Sequence, residues 1–431
     1  MLKKLKNFLL RTDAFLFKLF RSNKSIKYLQ NINEVQILFS TLNDAGEDSN
    51  VRFVGGCIRK SLNGEKIDDI DLATSLEPNE VKERLNKKDI QIIDTGILHG
   101  TVTTIIGNKK FEITTLRRDV LTDGRHADVK FTKDWNEDAL RRDFTINAIY
   151  SDLEGRLFDP LNGVKDLKKG LVKFIGPPEK RIKEDYLRIL RYFRFFAEYS
   201  RFDYEIDVIQ EIKKNINGLN KISKERIFDE LRKILSLKDF YNIFLNENSK
   251  ECILNIFPQF KFYKRLKNLK DLDSKLKVKY DYKIILALLV VDESDNYDYF
   301  CYKYKLSNEI KSRFKNISTY YDRLKNKNFF SEDNLKKLIY YSGKNSAKDL
   351  LLFSKCIDKK IKDEDLLSKF NFIDKYNIPK FPISGHDLKK HGYEKGLELG
   401  KRLKLLEEKW VNNNFILEEQ FLKKYLNKIN N

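Results

Sequence analysis

The fold is decided by the stretch Val51-Arg52-Phe53-Val54-Gly55-Gly56-Cys57-Ile58-Arg59. Its first four residues are largely apolar and β-prone, two glycines follow, and a helical pattern begins after them. A strand that turns into a helix in this way presents backbone N–H groups and the positive end of a helix dipole, which can receive a triphosphate. Gly55 and Gly56 are therefore candidate nucleotide-binding residues, and Arg59 would add a charge-assisted contact. A glycine pair alone is usually only a turn, so the interpretation depends on the residues that follow.

Two acids come about a dozen residues later, in Asp69-Ile70-Asp71-Leu72-Ala73-Thr74. Residues two apart on a strand point to the same face, so Asp69 and Asp71 predict a shared catalytic site for one or two metal ions. Carboxylate and phosphate oxygens suit Mg²⁺, and two such ions can activate a hydroxyl and neutralise pyrophosphate. The neighbouring Asp68 leaves the register open, and an isolated Asp-x-Asp pair is more often a solvated turn.

Two further strands are predicted at 100–106 and 111–116, joined by the hairpin signal Gly107-Asn108. Alternation in the second strand places Glu112 on the face opposite to its apolar neighbours. A carboxylate there is a candidate third catalytic acid and metal ligand. The alternative is an ordinary exposed acid on a strand.

The pattern changes along the chain. The first 150 residues favour a small α/β domain, whereas from about Glu179 onward the sequence is rich in Leu, Ile, Phe and Lys with few strand signals. We therefore expect the last 250 residues or so to be helical. Breaks are predicted near Gly218, near Pro258, at 292–296 and at 379–385.

Charge and cysteine content narrow the class of protein. The 431 residues carry 84 Lys and Arg along their whole length and a net charge of +20, which favours a nucleic-acid partner over a bias in coding composition. The four cysteines are far apart and form no Cys-x-x-Cys, so neither a zinc site nor a disulfide framework is indicated. Their pattern fits a reducing, cytoplasmic location. No apolar run is long enough for a membrane span, so no membrane partner is expected.

The N-terminal residues 2–21 are basic and amphipathic. They suit either a surface helix or a transit peptide. We favour the helix because Asp13 interrupts the basic face and no small-residue cleavage site follows.

A polar residue recurs at every third position in Glu184-Asp185-x-x-Arg188-x-x-Arg191-x-x-Arg194, on a predicted helix. The ordinary interpretation is an ion pair and a solvated basic stripe, but the apolar residues between them indicate a packed helix whose charges have a target. Asp185 beside Arg188 would present an acceptor next to a donor. Cytosine and adenine offer the complementary pattern, whereas uracil and guanine do not. Such a pair could accept CTP and ATP and reject UTP and GTP.

Taken in order, the motifs resemble those of class II tRNA nucleotidyltransferases, the CCA-adding enzymes, which share a family with bacterial poly(A) polymerases. The likeness is strong over residues 50–235 and moderate at Gly385-His386-Asp387-Leu388. The motifs that carry it are Gly55–Arg59, Asp69–Thr74, Arg141-Arg142-Asp143-Phe144-Thr145-Ile146-Asn147-Ala148, Asp159-Pro160-Leu161-Asn162-Gly163, Glu184–Phe195 and Ile222–Leu231.

This resemblance implies an α+β nucleotidyltransferase head, like that of DNA polymerase β, with a mixed sheet, followed by all-α neck, body and tail domains. The expected divisions are a basic extension at 1–30, the head at 31–160, the neck at 161–235, the body at 236–330 and the tail at 331–431.

The implied activity is template-independent addition of C, C and A to the 3′ end of tRNA from CTP and ATP, with Mg²⁺ as cofactor. The alternatives are a bacterial poly(A) polymerase and a non-catalytic RNA-binding protein. The resemblance assigns Mg²⁺ to Asp69 and Asp71 and base reading to Asp185 and Arg188. It assigns contacts with the rest of the nucleotide to Gly56, Arg59, Arg142, Asp143, Asn147, Arg191 and Arg194.

Two segments bear on which member of the family this is. Residues 117–126 correspond to the flexible loop used to switch from CTP to ATP and are of full length, which argues against an enzyme that adds only the two cytidines. His99-Gly100-Thr101-Val102-Thr103 is closer to the CCA-adding pattern than to that of poly(A) polymerases.

The sequence departs from the family's motif at one position, Lys60, where the family usually carries an acid. This departure puts the affinity for triphosphate in doubt.

Overall fold

The structure is a computed structural model that describes residues 26, 28–43, 50–93, 100–122, 127–276, 280–358 and 361–417. The basic segment 2–21, His99 and the loop tip 123–126 lie outside the described residues. The chain forms two compact units, Met1–Ile256 and Phe257–Asn431. In the described part, no helix is long and apolar enough to cross a membrane.

The head contains a seven-stranded sheet and a separate two-stranded ribbon. The order across the sheet is β3-β4-β5-β2-β1-β8-β9, and β2 and β5 are parallel while all other neighbours are antiparallel. The predicted mixed sheet is thus confirmed. The strands are β1 Val51–Val54, β2 Asp71–Thr74, β3 Gln91–Ile93, β4 Thr101–Ile106, β5 Lys109–Thr115, β6 Arg117–Thr122, β7 Ala127–Phe131, β8 Tyr150–Ser151 and β9 Leu157–Phe158.

Two apolar cores lie against the sheet. The first packs α1 (Asn33–Leu42) against Phe53, Leu72 and Ile113, and the second joins Ala73 to Tyr150 and Ala139. Because Leu72 and Ala73 alternate along β2, the two cores lie on opposite faces of the sheet.

The rest of the first unit is helical. In the described residues no named strand follows β9, which confirms the predicted change from α/β to helix. The helices after α1 are α2 Gly56–Leu62, α3 Pro78–Asn86, α4 Trp135–Arg141, α5 Gly163–Lys169, α6 Pro178–Glu184, α7 Arg188–Tyr199, α8 Ile206–Asn215, α9 Lys224–Leu235, α10 Asn242–Leu245 and α11 Glu247–Ile256, with short 3₁₀ turns at Thr145–Asn147 and Ile216–Lys221.

The second unit is entirely helical in its described residues. Its helix α13 is buried from Ile284 to Val290, and Arg265 donates to the carbonyl oxygens of Leu288 and Val291 at the end of that helix. The helices are α12 Leu266–Leu276, α13 Tyr282–Val290, α14 Asn296–Lys303, α15 Asn308–Tyr320, α16 Glu332–Ile357 with a break at Gly343, α17 Asp363–Lys375, α18 Gly385–Lys390 and α19 Leu397–Asn412, with 3₁₀ turns at Tyr263–Arg265, Arg323–Lys325 and Lys327–Phe330.

All four predicted breaks fall between helices. Gly218 lies in the 3₁₀ turn before α9, Pro258 lies between α11 and α12, 292–296 ends at the first residue of α14, and 379–385 ends at the first residue of α18.

Candidate active site

The acidic residues lie at one end of the central strands. Asp71 in β2 and Glu112 in β5 are partners in the parallel ladder, and both alternate with residues of the first core. They therefore face the same side of the sheet as Ala73. Asp69 is exposed and precedes the strand, so the prediction that both aspartates lie on one strand was wrong.

The environment of Asp71 is electrostatically unfavourable for its charge. Burial and the negative charges of Glu112 and Asp69 raise the pKa of Asp71, although Arg142 and Arg59 oppose this effect. The half-exposed carboxylate of Glu112 instead pairs with Lys110 at 2.7 Å. A partly buried carboxylate beside further acids is the kind of site that a cation stabilises.

The donor set fits a hard divalent ion, since it consists of carboxylate oxygens beside a glycine turn. A Cβ on Gly56 would lie 3.9 Å from Oδ2 of Asp71, so the turn approaches the acid closely. The described residues do not gather three acid, His or Cys ligands into one cluster. Asp69 and Asp71 therefore remain the candidate metal pair, without a fixed third ligand.

Gly55 and Gly56 form the predicted turn between β1 and α2. Gly55 has φ +67°, a backbone conformation that favours glycine, and a Cβ there would lie 3.6 Å from Nη1 of Arg142. The turn is thus lined on one side by Asp71 and on the other by a guanidinium group.

Arg59 is buried rather than extended into solvent. Its guanidinium lies 4.6 Å from the ring centre of Phe195 and 5.1 Å from that of Tyr199, and its Nη1 donates to Oδ1 of Asn147. Its Nε is buried and has no hydrogen-bond partner among the described residues. Lys60, the departure from the family pattern, pairs with Asp68 at 2.9 Å.

Asp143 connects the head to helix α7. One of its oxygens accepts from Phe144 N at 2.9 Å and Asn147 Nδ2 at 2.8 Å, and the other accepts from Arg191 Nε at 2.7 Å. Burial alone would raise the pKa of Asp143, but Arg191 and these hydrogen bonds hold it well below its usual range. Asn147 donates to Asp143 and accepts from Arg59, so these side chains form one continuous hydrogen-bonded chain.

Asp138 is a site residue that the sequence interpretation missed. It is 1% exposed and accepts from Arg141 Nε at 2.8 Å, Arg142 Nη2 at 3.0 Å and Tyr150 Oη at 2.7 Å. Its position three and four residues before the two arginines is the helical spacing of ion pairs, and this signal could have identified it.

The side chains of Asp185 and Arg188 do not pair with each other, although the backbone N–H of Arg188 donates to the carbonyl oxygen of Asp185 at 3.0 Å. Helix α6 ends at Glu184 and α7 begins at Arg188, so the prediction of one helix through both residues was wrong. Oδ2 of Asp185 accepts from Arg226 Nη2 at 2.8 Å, and Arg188 is bound to Glu184 at 2.7 Å. Both residues nevertheless lie at the same junction between helices.

Two arginines, Arg181 of α6 and Arg188 of α7, hold the backbone of the Arg141-Arg142 turn. Arg181 donates to the carbonyl oxygens of Arg141 and Arg142, and Arg188 Nη2 donates to that of Arg141 at 3.1 Å. Glu184 pairs with both Arg181 and Arg188. One base-reading candidate, Arg188, is therefore bonded directly to the Arg141-Arg142 turn, which the sequence interpretation did not foresee.

Arg194 faces helix α9 instead. It pairs with the buried Glu230 of α9, and its guanidinium lies 4.0 Å from the ring centre of Phe195. Arg191 also lies over this ring, at 5.4 Å, as Arg59 does from the head. One phenyl ring thus contacts three of the predicted nucleotide-binding arginines.

The Asp159–Gly163 motif has a structural part in the site. The Asp159 carboxylate accepts from the backbone N–H of Gly163 at 2.7 Å and of Val164 at 2.9 Å, which caps α5. A Cβ on Gly163 would lie 2.2 Å from Thr145 O. The motif therefore seats α5 directly against the Thr145–Asn147 turn.

Comparisons with known proteins identify the family and the fold. Family models match as the poly A polymerase head domain at residues 51–173, the probable RNA and SrmB-binding site of polymerase A at 201–260, and the putative tRNA nucleotidyltransferase domain 2 at 276–426. The CCA-adding enzyme of Bacillus stearothermophilus, solved in complex with CTP, has the same fold, with a TM-score of 0.68, 24% identity and coverage of 91% of this chain and 96% of its own.

Curated relatives match over nearly the whole length. The mitochondrial CCA tRNA nucleotidyltransferase 1 of Mus musculus is 33% identical, across 97% of this chain and 95% of its own. A CCA-adding enzyme of Lactobacillus helveticus is 32% identical, across 90% and 95%. The resemblance predicted from the motifs is thereby confirmed, and the chain belongs to the family of CCA-adding tRNA nucleotidyltransferases.

Proposed function

We propose that this protein adds C, C and A to the 3′ end of tRNA, with CTP and ATP as substrates and release of pyrophosphate. One observation carries the proposal beyond family membership: the Arg141-Arg142 turn, which lies beside the glycine turn and Asp71, is bonded through its backbone to the neck junction that holds Asp185 and Arg188. The residues proposed for nucleotidyl transfer and those proposed for choice of base are therefore joined by hydrogen bonds.

The acidic end of the sheet is the proposed catalytic centre. Asp69 and Asp71 would hold divalent ions, proposed as Mg²⁺, whose chemistry in such a site is to activate a hydroxyl and neutralise pyrophosphate. Glu112 is the proposed third catalytic acid, since it is paired in register with Asp71. These residues position the 3′ hydroxyl of the RNA for in-line attack on the α-phosphate, and most of the rate acceleration comes from positioning.

The triphosphate is assigned to the glycine turn and the two guanidinium groups nearest to it. Gly55 and Gly56 leave room for close approach, and Nη1 of Arg142 lies beside the space where a Gly55 side chain would be. The positive charge of the buried Arg59 supports a further, electrostatic role. Asp143 and Asn147 are proposed to serve the nucleotide by orienting Arg59 and Arg191, because their polar atoms already bind these groups.

Base choice is assigned to Asp185 and Arg188, with Arg191 and Arg194 near the nucleotide. The contacts of Arg188 with described residues use two N–H groups of Nη1 and one of Nη2, which leaves Nε and one N–H of Nη2 for a ring nitrogen. Asp185 has acceptor sites left for an exocyclic amino group. Protein side chains would thus replace a nucleic-acid template.

The remaining assignments follow the same interpretation. The divisions at 1–30, 31–160, 161–235, 236–330 and 331–431 are proposed as extension, head, neck, body and tail. The basic helical domains would bind the phosphates and shape of folded tRNA.

A cytoplasmic location is retained as a proposal, and localising a tagged chain with and without residues 1–25 would test it.

The test is a transfer assay with purified protein, magnesium and a tRNA that lacks its 3′ end. Two C additions with CTP alone and one further A when ATP is added are expected. Long A tails from ATP alone would move the assignment to poly(A) polymerase. Binding of tRNA without any incorporation would indicate a non-catalytic RNA-binding protein.

A further inference from the structure

Arg59 is a buried cation that has no ion-pair partner among the described residues. It is 5% exposed, and its hydrogen bond to Asn147 is with a neutral amide. The ring centres of Phe195 and Tyr199 lie 4.6 and 5.1 Å from the guanidinium. A buried charge that no ion pair neutralises is costly, so an anion such as a triphosphate would stabilise it.

Two acids nevertheless lie near this cation. They are Glu65, which follows α2, and Glu198, near the end of α7. Burial raises the pKa of Glu198, which Arg59 and Arg194 oppose and Glu65 reinforces. Glu198 is itself paired with Arg194, at 3.8 Å. Glu65 has no ion pair within the described part of the chain, so it is the acid that could neutralise Arg59.

Both carboxylate oxygens of Glu65 are instead bound by neutral donors. Oε1 accepts from Nδ2 of Asn63, and Oε2 accepts from the Tyr199 hydroxyl at 3.1 Å. Tyr199 is 134 residues further along the chain and is the last residue of α7. Burial raises the pKa of Tyr199, while the charge of Arg59 lowers it and that of Glu65 raises it. Both charges therefore act on the same hydroxyl group.

The position of Tyr199 has an electrostatic consequence. Its ring contacts the guanidinium of Arg59, and its hydroxyl binds the carboxylate of Glu65. Without the hydroxyl, a partly buried carboxylate oxygen would lack a donor, and leaving such an acceptor unsatisfied is unfavourable. An ion pair with Arg59 would satisfy it, but that pair would also neutralise the charge that attracts the triphosphate.

We infer that Tyr199 is a positioning residue that keeps the charge of Arg59 available to the triphosphate by holding Glu65 away from it, an inference that rests on the proposed function. Tyr199 acts only through these two side chains. Its hydroxyl restrains the acid, and its ring covers one face of the guanidinium.

The test compares wild type with Tyr199→Phe, Glu65→Gln and the double variant. Tyr199→Phe removes the hydroxyl and keeps the ring against Arg59. Tyr204→Phe is the matched control, because Tyr204 is also buried and its ring stacks on Phe196 at 3.7 Å. Equilibrium dissociation constants are measured for CTP and for CMP in the presence of magnesium.

Tyr199→Phe is expected to weaken CTP binding about fivefold, the scale of one partly exposed ion pair. Binding of CMP should change less than about twofold, because CMP lacks the two outer phosphates. Adding Glu65→Gln should restore CTP binding to within about twofold of wild type, since no carboxylate is then left to pair with Arg59. Glu65→Gln alone and Tyr204→Phe should bind CTP as wild type does.

The rescue distinguishes this role from a merely structural one. If Tyr199→Phe only loosened the packing of α7, CTP and CMP binding would weaken together, and Glu65→Gln would restore neither. Either result would overturn the inference, as would unchanged CTP binding in Tyr199→Phe or an equal loss in Tyr204→Phe.

The outcomes also separate the inference from the proposed function. Wild-type protein that transfers C and A while Tyr199→Phe binds CTP normally would overturn the inference and leave the function intact. A CTP-specific loss with rescue, in a protein that transfers no nucleotide, would support the inference and reject CCA addition.

Discussion

Asp71 and Glu112 are directly opposed in register across the parallel strands β2 and β5, on the same face of the sheet. Burial and the neighbouring acids raise the pKa of Asp71, so the folded protein holds this carboxylate in an environment that disfavours its charge. Electrostatic strain of this kind is typical of functional sites, where a ligand or metal relieves it.

Replacing Asp71 by asparagine is expected to reduce the rate of transfer more than about 100-fold. The reason is that the proposed metal ion, which would activate the attacking hydroxyl, loses a carboxylate ligand. The free energy of unfolding should be unchanged or higher, since a repulsive charge is removed. Binding of tRNA should stay within a few fold, because we expect RNA affinity to come from the basic helical domains.

Asp68→Asn is the control for that change. Asp68 is a neighbouring acid that pairs with Lys60 on the surface, so its loss should leave most of the transfer activity. Transfer assays, urea unfolding and filter binding of tRNA measure the three effects. Undiminished incorporation by Asp71→Asn would refute the metal assignment.

Replacing Arg188 by alanine is expected to reduce the choice among nucleotides more than it slows phosphodiester formation. The remaining N–H groups of Arg188 are the proposed donors for a ring nitrogen, while other residues are proposed to serve the reacting atoms. Incorporation of each of the four nucleotides measures the effect. Arg265→Ala is the control, because Arg265 also donates to carbonyl oxygens but lies in the second unit. If Arg188→Ala keeps full CTP and ATP selectivity, the base-reading assignment is wrong.

Local sequence signals predicted the hairpin and the strand–turn–helix well. Alternation and Gly107-Asn108 indicated β4 and β5, and the glycine pair indicated the start of α2. The beginning of β2 could not be found in this way. Its pairing with β5 starts at Asp71 and its pairing with β1 starts at Leu72, so neighbouring strands rather than local preference leave Asp69 outside the sheet.

The junction between α6 and α7 shows a similar limit. A three-residue polar period continues across Asp185, but the Asp185 side chain accepts from Leu187 N and binds Arg226, which favours a turn over a continuous helix. The sequence indicated candidate charged residues and could not indicate how they pair. Arg191 with Asp143 and Arg194 with Glu230 are separated by 48 and 36 residues, so only the folded chain reveals these partners.

Replacing Gly163 by alanine is expected to destabilise the head by about 2 kcal/mol or more, because a Cβ would overlap the Thr145 carbonyl, which is backbone and cannot turn aside. Displacement of the Thr145–Asn147 turn should also reduce activity. Gly400→Ala, on α19, has nothing within 4 Å of the new Cβ and should be neutral or stabilising. Urea unfolding compares the two variants, and equal stability would contradict the contact.

Replacing Asp138 by asparagine is expected to destabilise the protein by about 3 to 5 kcal/mol near neutral pH, because Arg141 and Arg142 would lose a buried counter-charge. Burial alone would raise the pKa of Asp138, but Arg142, Arg141 and the Tyr150 hydroxyl outweigh it and hold the pKa well below its usual range.

The sign of the pH dependence follows from that lowered pKa. The ionised carboxylate stabilises the fold fully above the unfolded pKa of about 3.9, and this contribution is lost as pH falls towards the folded pKa. The difference in unfolding free energy between wild type and Asp138→Asn should therefore shrink between about pH 5 and pH 3. Asp349 is a control of opposite sign, since burial raises its pKa despite Arg313, and the difference for Asp349→Asn should not shrink. A pH-independent difference for Asp138→Asn would mean that its charge does not stabilise the turn that carries Arg142.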